Sequence, residues 1–321
     1  MDNFTHSLTG WALGQAGLKS TTRKGLAALI LAANMPDIDV FFGGFPWEPL
    51  ETHRGVTHSV VGVIVMPPIL FALLLLLDRW QVARGQVFKS GLAMRKGWLL
   101  ALCYLGAITH PLLDLQTTYA VQLFSPVSGL WYHADSLFII DVWIWSALSL
   151  AIAWSRKAQA EGRNWRTVPQ GAIAAVLVYI FFNLGLSDTA KARVAVRSPG
   201  ADAVFASPQP VLSWRRQMAW REDGNYFYAY FTPLGGLGPT RGPIVPNMDH
   251  PLVQEARRGD RAMRRFLHWS VLPFAWARRE GCAIRLSIGD ARYLDPEQGS
   301  RLKRDTLLGR PCGDTLAKPR D

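Results

Sequence analysis

The sequence predicts an all-α polytopic membrane domain, an N-terminal helical hairpin plus four transmembrane helices, followed by a smaller β-containing extramembrane domain. Three observations predict it. Long apolar runs fill residues 60 to 187, separated by short basic loops, as in multi-pass membrane proteins. From about residue 188 the chain is polar and Arg-rich. In that second part, aromatic-rich and alternating stretches replace the apolar runs. The expected organisation is a membrane-embedded helical domain at 1–187, an extramembrane α+β domain at 188–301 and a disordered tail at 302–321.

The elements follow in chain order. Ser7 to Leu18 and Leu26 to Met35 are short apolar stretches around Lys19, Arg23 and Lys24. Each is too short for a comfortable span, so the pair reads as a hairpin that dips into the bilayer or packs on the bundle. The first span, Val60 to Leu77, is uncharged over its whole length and rises roughly 27 Å as a helix. Pro67 and Pro68 should kink it. Trp98 to Leu113, Ser136 to Trp154 and Val168 to Ser187 supply the other three. A buried core helix is the alternative for any one run, but four in succession with little polar face argue against it. Beyond them, Tyr226 to Phe231 follows the turn Asp223-Gly224-Asn225, and Ala283 to Ile288 alternates, so both read as strands. The Pro-rich Ser207 to Pro210 starts this domain.

The loops give orientation. Asp78 to Gly97 and Ser155 to Thr167 are basic, whereas Gln116 to Asp135 contains no Lys or Arg. Basic short loops stay cytoplasmic, so the last loop faces outward. The net charge of +11 is thereby explained without nucleic acid as a partner. The N-terminus lacks a basic n-region and a Leu-rich h-region and is not read as a signal peptide. Cys103 lies in an apolar run. Cys282 and Cys312 would be able to pair if the second domain is exported.

Five of the seven histidines precede residue 134, several with an acid nearby. His110 and Asp114, four residues apart, share one helix face at the end of a span. A carboxylate at membrane depth costs up to roughly 2.5–3.5 kcal/mol unless compensated, and a cation compensates it. The alternative is a polar pair that holds helices together. Asp37 and Asp39 follow Pro36, which stops the preceding helix, and read as alternating in an irregular or extended segment, or as an ordinary acidic turn. His53 and His58, five apart, do not share a helix face; Gly55 allows a turn between them. The basic-loop orientation, fixed from Lys and Arg alone, sends His6, Asp37, Asp39, His58, His110, Asp114 and Asp135 to outward ends together. Independent polar residues would divide between the two faces, so their convergence points to one metal site. Asp2, His53, His133, Asp135 and Asp141 are candidates for supporting or additional ligands, with Asp141 read as lying inside the third span.

The segments M-D-N-F-T-H, N-M-P-D-I-D, H-R-G-V-T-H-S and T-H-P-L-L-D, in that order, resemble the YdjM-like family of membrane-bound metal-dependent hydrolases, described as LexA-binding and inner-membrane-associated. The resemblance covers roughly residues 1–155. It implies a bacterial inner-membrane location and a distant similarity to zinc-dependent phospholipase C and the single-strand zinc nucleases. It also implies metal ligation by His6, Asp39, His58, His110 and Asp114. The third-zinc pattern of those enzymes has no clear equivalent, so two ions are expected.

Zn²⁺ suits mixed imidazole and carboxylate ligands, with Mn²⁺ as the alternative. Asp114 would bridge the two ions, a clamp suited to in-line displacement at phosphorus. Asp37 is the candidate for proton transfer, and Arg54 for holding a phosphate oxygen. The expected function is a membrane-bound metal-dependent hydrolase, a phosphoesterase acting on a lipid or lipid-linked substrate at the extracytoplasmic face. Two other classes stay open: a non-enzymatic scaffold or regulator with a structural metal, and an intramembrane metallopeptidase, against which the missing H-E-x-x-H argues.

Overall fold

A computed structural model describes residues 1–41, 53–295 and 299–309. These fall into two compact units. The first contains residues 1–41, 53–185 and 209–213, and the second contains 186–208 and 214 onward.

The first unit is helical. α1 (Asn3–Gln15) starts on Asp2, whose carboxylate accepts from the Phe4 and Thr5 amides. A short turn leads to α2 (Gly25–Asn34). α3 (Val60–Ala83) is capped by Ser59 and continues through Pro67 and Pro68. α4 (Lys96–Leu115), α5 (Val142–Ala160) and α6 (Thr167–Arg197) complete it. Two glycines set the packing. A Cβ on Gly10 of α1 or on Gly106 of α4 would lie 2.7 Å from the Leu29 carbonyl oxygen. Both helices therefore close directly onto the α2 backbone, around Ala28, Leu29, Ala32, Leu99, Leu102 and Cys103.

Among the described residues three helices, α3, α4 and α6, are long and apolar enough to cross a membrane, where four were expected. The shortfall is α5. Its serines and tryptophans, and the Arg156-Lys157 pair near its end, dilute the apolar run. Asp141 does not lie inside a span either: it is the N-cap of α5, accepting from the Trp143 and Ile144 amides and from the Tyr179 hydroxyl at 3.0 Å. α6 extends ten residues past the expected end at Ser187.

The second unit carries the β structure. β1 (Ala203–Pro208), β2 (Arg216–Glu222), β3 (Asn225–Thr232) and β4 (Gly236–Leu237) pair in sequence, antiparallel, with β5 (Arg241–Ile244) on β3. The β2–β3 turn is made by Asp223 and Gly224, both at positive φ, as a tight hairpin of right-handed strands needs. Two short helices, α7 (Pro251–Gly259) and α8 (Arg261–Trp269), precede β6 (Pro273–Glu280) and β7 (Ala283–Asp290). β8 (Leu294–Asp295) and β9 (Gly299–Ser300) form a two-stranded ribbon. The tail beyond residue 301 was expected to be disordered. Instead β10 (Lys303–Gly309) pairs with β7 along seven residues and alternates exposed with half-buried positions. Lys303 and Asp305 are exposed but Arg304 is half-buried and the apolar Leu307 exposed, so polarity does not follow the alternation, which conceals the strand pattern in a Lys/Arg-rich stretch. Residues 310–321 of that tail lie outside the described residues. Cys282 is disulfide-bonded; Cys312, its expected partner, also lies outside them.

Candidate metal centre

Each element of the first unit brings one piece of the site. Pro36 ends α2, and the chain continues as a 3₁₀ turn from Met35 to Phe41 that carries Asp37 and Asp39. A second 3₁₀ turn, Val56–His58, precedes α3. It sits so close to α3 that a Cβ on Gly62 would lie 2.1 Å from the Thr57 carbonyl oxygen. α4 contributes His110 and Asp114 from one face, and α1 contributes His6.

Asp37, His58, His110 and Asp114 meet at one point, each offering a ligand atom within 4.8 Å of the others. His58 Nε2 lies 3.0 Å from His110 Nε2, and Asp37 Oδ1 lies 3.2 Å from each. Asp114 Oδ2 is 3.3 Å from His58 Nε2 and 3.5 Å from His110 Nε2. A tetrahedral Zn²⁺ with bonds near 2.0–2.1 Å sets its ligand atoms about 3.3 Å apart, so the donor set fits a single ion of that kind.

The rings are oriented from behind. His110 Nδ1 donates to the Ala33 carbonyl at 2.6 Å, which leaves Nε2 free to face the cluster. His58 Nδ1 faces Asp39 Oδ2 at 3.2 Å and the Thr57 hydroxyl at 3.0 Å, while Thr57 itself donates to Asp39 at 2.7 Å. Asp39 therefore stands behind His58 rather than beside Asp37. With His53 and His58 it makes a second, overlapping cluster, in which His53 Nδ1 is 2.9 Å from Asp39 Oδ1. His58 is shared, but through opposite nitrogens.

His6 is fully buried, stacked on His110 with ring centroids 3.7 Å apart, and 3.5 Å from Asp114 Oδ1. Neither of its ring nitrogens has a hydrogen-bond partner. Burial, and next the neighbouring His110, lower its pKa to about 3, so the ring is neutral and able to ligate. An orphaned neutral imidazole buried beside the Asp114 carboxylate is costly without a cation.

The electrostatics point the same way. Burial alone would discharge His58, but its hydrogen bonds to the Asp114, Asp37 and Asp39 carboxylates raise its pKa to about 10. Asp37 and Asp39 pay a burial penalty as well; even so, bonds with His110 and His58, and with His53 and His58, hold both carboxyls below the usual range. Three carboxylates thus converge where a positive charge is strongly favoured.

Arg54 does not face solvent, as a phosphate-binding role would need. It is buried at positive φ. Its Nη2 lies 3.1 Å from Asp114 Oδ1, and its Nη1 donates to the Thr117 hydroxyl at 2.8 Å. The Met1 amino group also bonds to Asp114 Oδ1. That oxygen is taken up by the Arg54 guanidinium and the Met1 amino group, and Oδ2 is left for the cluster. Asp2 caps α1 and receives the Trp145 indole N–H at 3.3 Å. His133 and Asp135 pair with each other at 2.8 Å, and neither belongs to the two clusters. Thr57 and Thr117 were not anticipated. Their hydroxyls carry no charge or spacing that sequence reading could use, although Thr57 adjoins His58.

The fold and the cluster define a polytopic membrane protein built around a buried His/Asp centre. The chain belongs to the YdjM inner membrane protein family, whose family model matches residues 1–190. It is an inner membrane protein. No curated protein and no solved structure matches it.

Proposed function

We propose that the chain is a membrane-bound metal-dependent hydrolase that cleaves a phosphoester in a lipid or lipid-linked substrate at the extracytoplasmic interface. The observation that carries this reading is the convergence of Asp37, His58, His110 and Asp114 at ligand spacing beside the unpartnered His6. A divalent cation held there, Zn²⁺ or Mn²⁺, supplies Lewis-acid polarisation and a lowered pKa for water.

The chain's own residues then have distinct tasks. Asp37, His58, His110 and Asp114 hold the ion. Asp39 orients His58 and also His53. The His53 side chain is 18% exposed, and its Nε2 lies 3.8 Å from Asp37 Oδ1, so it is the residue placed to exchange a proton between site and solvent. Arg54 balances the charge of Asp114 and fixes its second oxygen. One ion rather than two fits this arrangement, because a single ring serving both clusters would have to lose both protons. The outward face is supported by the basic loops and by the disulfide-bonded Cys282, since disulfides persist in oxidising compartments.

One observation favours the scaffold reading. All four ligands are nearly sealed, with Asp37 the most exposed at 5%, as in closed structural sites. Metal analysis of the purified protein, coupled to hydrolysis assays on phospholipids, isoprenoid phosphates and nucleotides, separates the two. One Zn²⁺ or Mn²⁺ per chain and turnover of a phosphoester are expected, both lost in His110→Ala. A metal-replete chain that hydrolyses none of these substrates establishes the scaffold reading. A chain that binds no metal overturns both.

A further inference from the structure

At the other end of the helical unit, α5 and α6 leave an open groove of 790 Å³ between them, within the size range of ligand sites. Its walls are small or apolar: Ala147, Ala151 and Trp154 on α5, Gly171 and Ala175 on α6. A Cβ on Gly171 would meet nothing within 4 Å. Only 17% of the apolar window of α6 is buried by the protein, so most of its apolar surface faces outward.

One end of this apolar trough is cationic. Lys157 is its only charged lining residue, and among the described residues no carboxylate forms an ion pair with it. Glu161, the only acid between 155 and 167, is already bonded to Arg163. The Arg163 guanidinium lies over Trp154, 5.5 Å from a ring centroid. Val168 also lines the groove. It belongs to the first turn of α6, where backbone N–H groups point outward without helical acceptors and favour an anion. A long apolar trough ending at a free ammonium and a helix N-terminus is the shape and charge of a site for an anionic lipid. We propose that it binds an anionic phospholipid of the cytoplasmic leaflet, the acyl chain lying along the Ala/Gly wall and the phosphate held by Lys157 and the Val168 amide.

A helix from a second copy of the chain is the competing occupant. It would lay an apolar surface against Lys157 unless it carried an acid at that depth. The candidate is Asp78, and that carboxylate is held by Arg23 at 2.8 Å. The charge at the mouth therefore selects lipid phosphate over a second copy.

The test is native mass spectrometry of the full chain released from vesicles of phosphatidylglycerol and phosphatidylcholine. The wild-type chain should retain one phosphatidylglycerol in preference to phosphatidylcholine. Lys157→Gln should lower that preference about fivefold, the worth of one Lys–anion contact near a membrane surface, and Lys157→Arg should restore it. Gly171→Phe should fill the trough and abolish retention, without changing thermal unfolding in detergent. Equal retention of the two lipids, or unchanged retention in both Lys157→Gln and Gly171→Phe, overturns the proposal. So does a wild-type dimer that Gly171→Phe converts to monomer with its lipid retained, which would assign the groove to a second copy.

Discussion

His58 organises the centre because its two nitrogens do different work. Nε2 faces Asp37, His110 and Asp114, whereas Nδ1 faces Asp39. Asp37→Asn should therefore remove a metal ligand, and Asp39→Asn only the group that orients one. We expect metal affinity to fall by about 10–100-fold in Asp39→Asn and further in Asp37→Asn, as measured by competition with a chromogenic chelator. Equal losses would remove the distinction. The sequence identified both residues, reading Asp39 as a ligand and Asp37 as the proton-transfer group; each belongs to one of the two candidate groups, Asp37 with His58, His110 and Asp114 and Asp39 with His53 and His58. The reason is local. An extended segment sends alternate side chains to opposite sides, whereas the 3₁₀ turn of Met35–Phe41 has three residues per turn and lets both carboxylates grip one ring. In the second unit, Asp290 is fully buried. Burial disfavours its charge, yet the Arg292 guanidinium, bonded at 2.9 Å, holds the carboxyl below its ordinary value of 3.8. A depressed carboxylate contributes stability that is present above the unfolded value and lost as pH falls through the folded one. Unfolding of this unit should therefore show an acid limb below about pH 4. Asp290→Asn should flatten that limb and lower stability at neutral pH, because the buried Arg292 guanidinium loses the carboxylate that balances its charge. Chemical denaturation across pH would measure both; an unchanged acid limb would count against the assignment.

At the scale of elements, the centre depends on how closely α4 lies on α2. Gly106 stands one turn before His110, and a Cβ there would meet the Leu29 oxygen at 2.7 Å and the Ala32 Cβ at 2.8 Å. The backbone and a core alanine cannot move aside as a flexible side chain would. Gly106→Leu should push α4 off α2, break the His110–Ala33 bond, cost about 1–3 kcal/mol and release the metal. Gly185→Leu, with open space at its Cβ, is the control. Retained metal and an unchanged melting temperature in Gly106→Leu would contradict this account. Apolar runs and basic loops made α3, α4 and α6 legible in the sequence. The glycine contacts were not, because a glycine inside an apolar run carries no sign of what approaches it. α5 was legible as a helix but not in its bounds. Residues 136–141 form no helix, since Ser136 bonds back to Gln116 and Asp141 is spent on the cap. In the second unit β3 and β7 were visible as aromatic or alternating runs, whereas β10, with charged residues on both faces, was not.

Across the whole molecule, the topology turns on α5, which is not among the helices long and apolar enough to cross a membrane. It runs beside α1 in the same direction. At one end the Asp2 amide donates to the Ile139 carbonyl, and Trp145 donates to the Thr5 hydroxyl at 2.8 Å. At the other end the Ser155 hydroxyl donates to Gln15 at 3.1 Å, and Lys19 donates to Gln159 at 2.5 Å. α5 therefore runs alongside α1 from the metal-centre end of the helical unit to its basic end. Its polar serines and capped Asp141 are tolerable because Leu148, Ala151, Ile152 and Ser155 are buried against protein rather than lipid. If α5 stayed on one side instead, the loop holding Arg156, Lys157, Arg163 and Arg166 would lie outward, against the rule that short basic loops remain inside. The expected arrangement has residues 116–135 outside and 155–167 inside. Single cysteines at Val127, 91% exposed, and at Ala160 test it with a membrane-impermeant maleimide on intact cells. Cys103 is buried and Cys282 disulfide-bonded, which keeps the native background low. Val127→Cys should label at once, and Ala160→Cys only after the membrane is opened. Labelling of Ala160→Cys in intact cells would reverse α6 as well, and with it the outward placement of the metal centre and of the chain beyond α6.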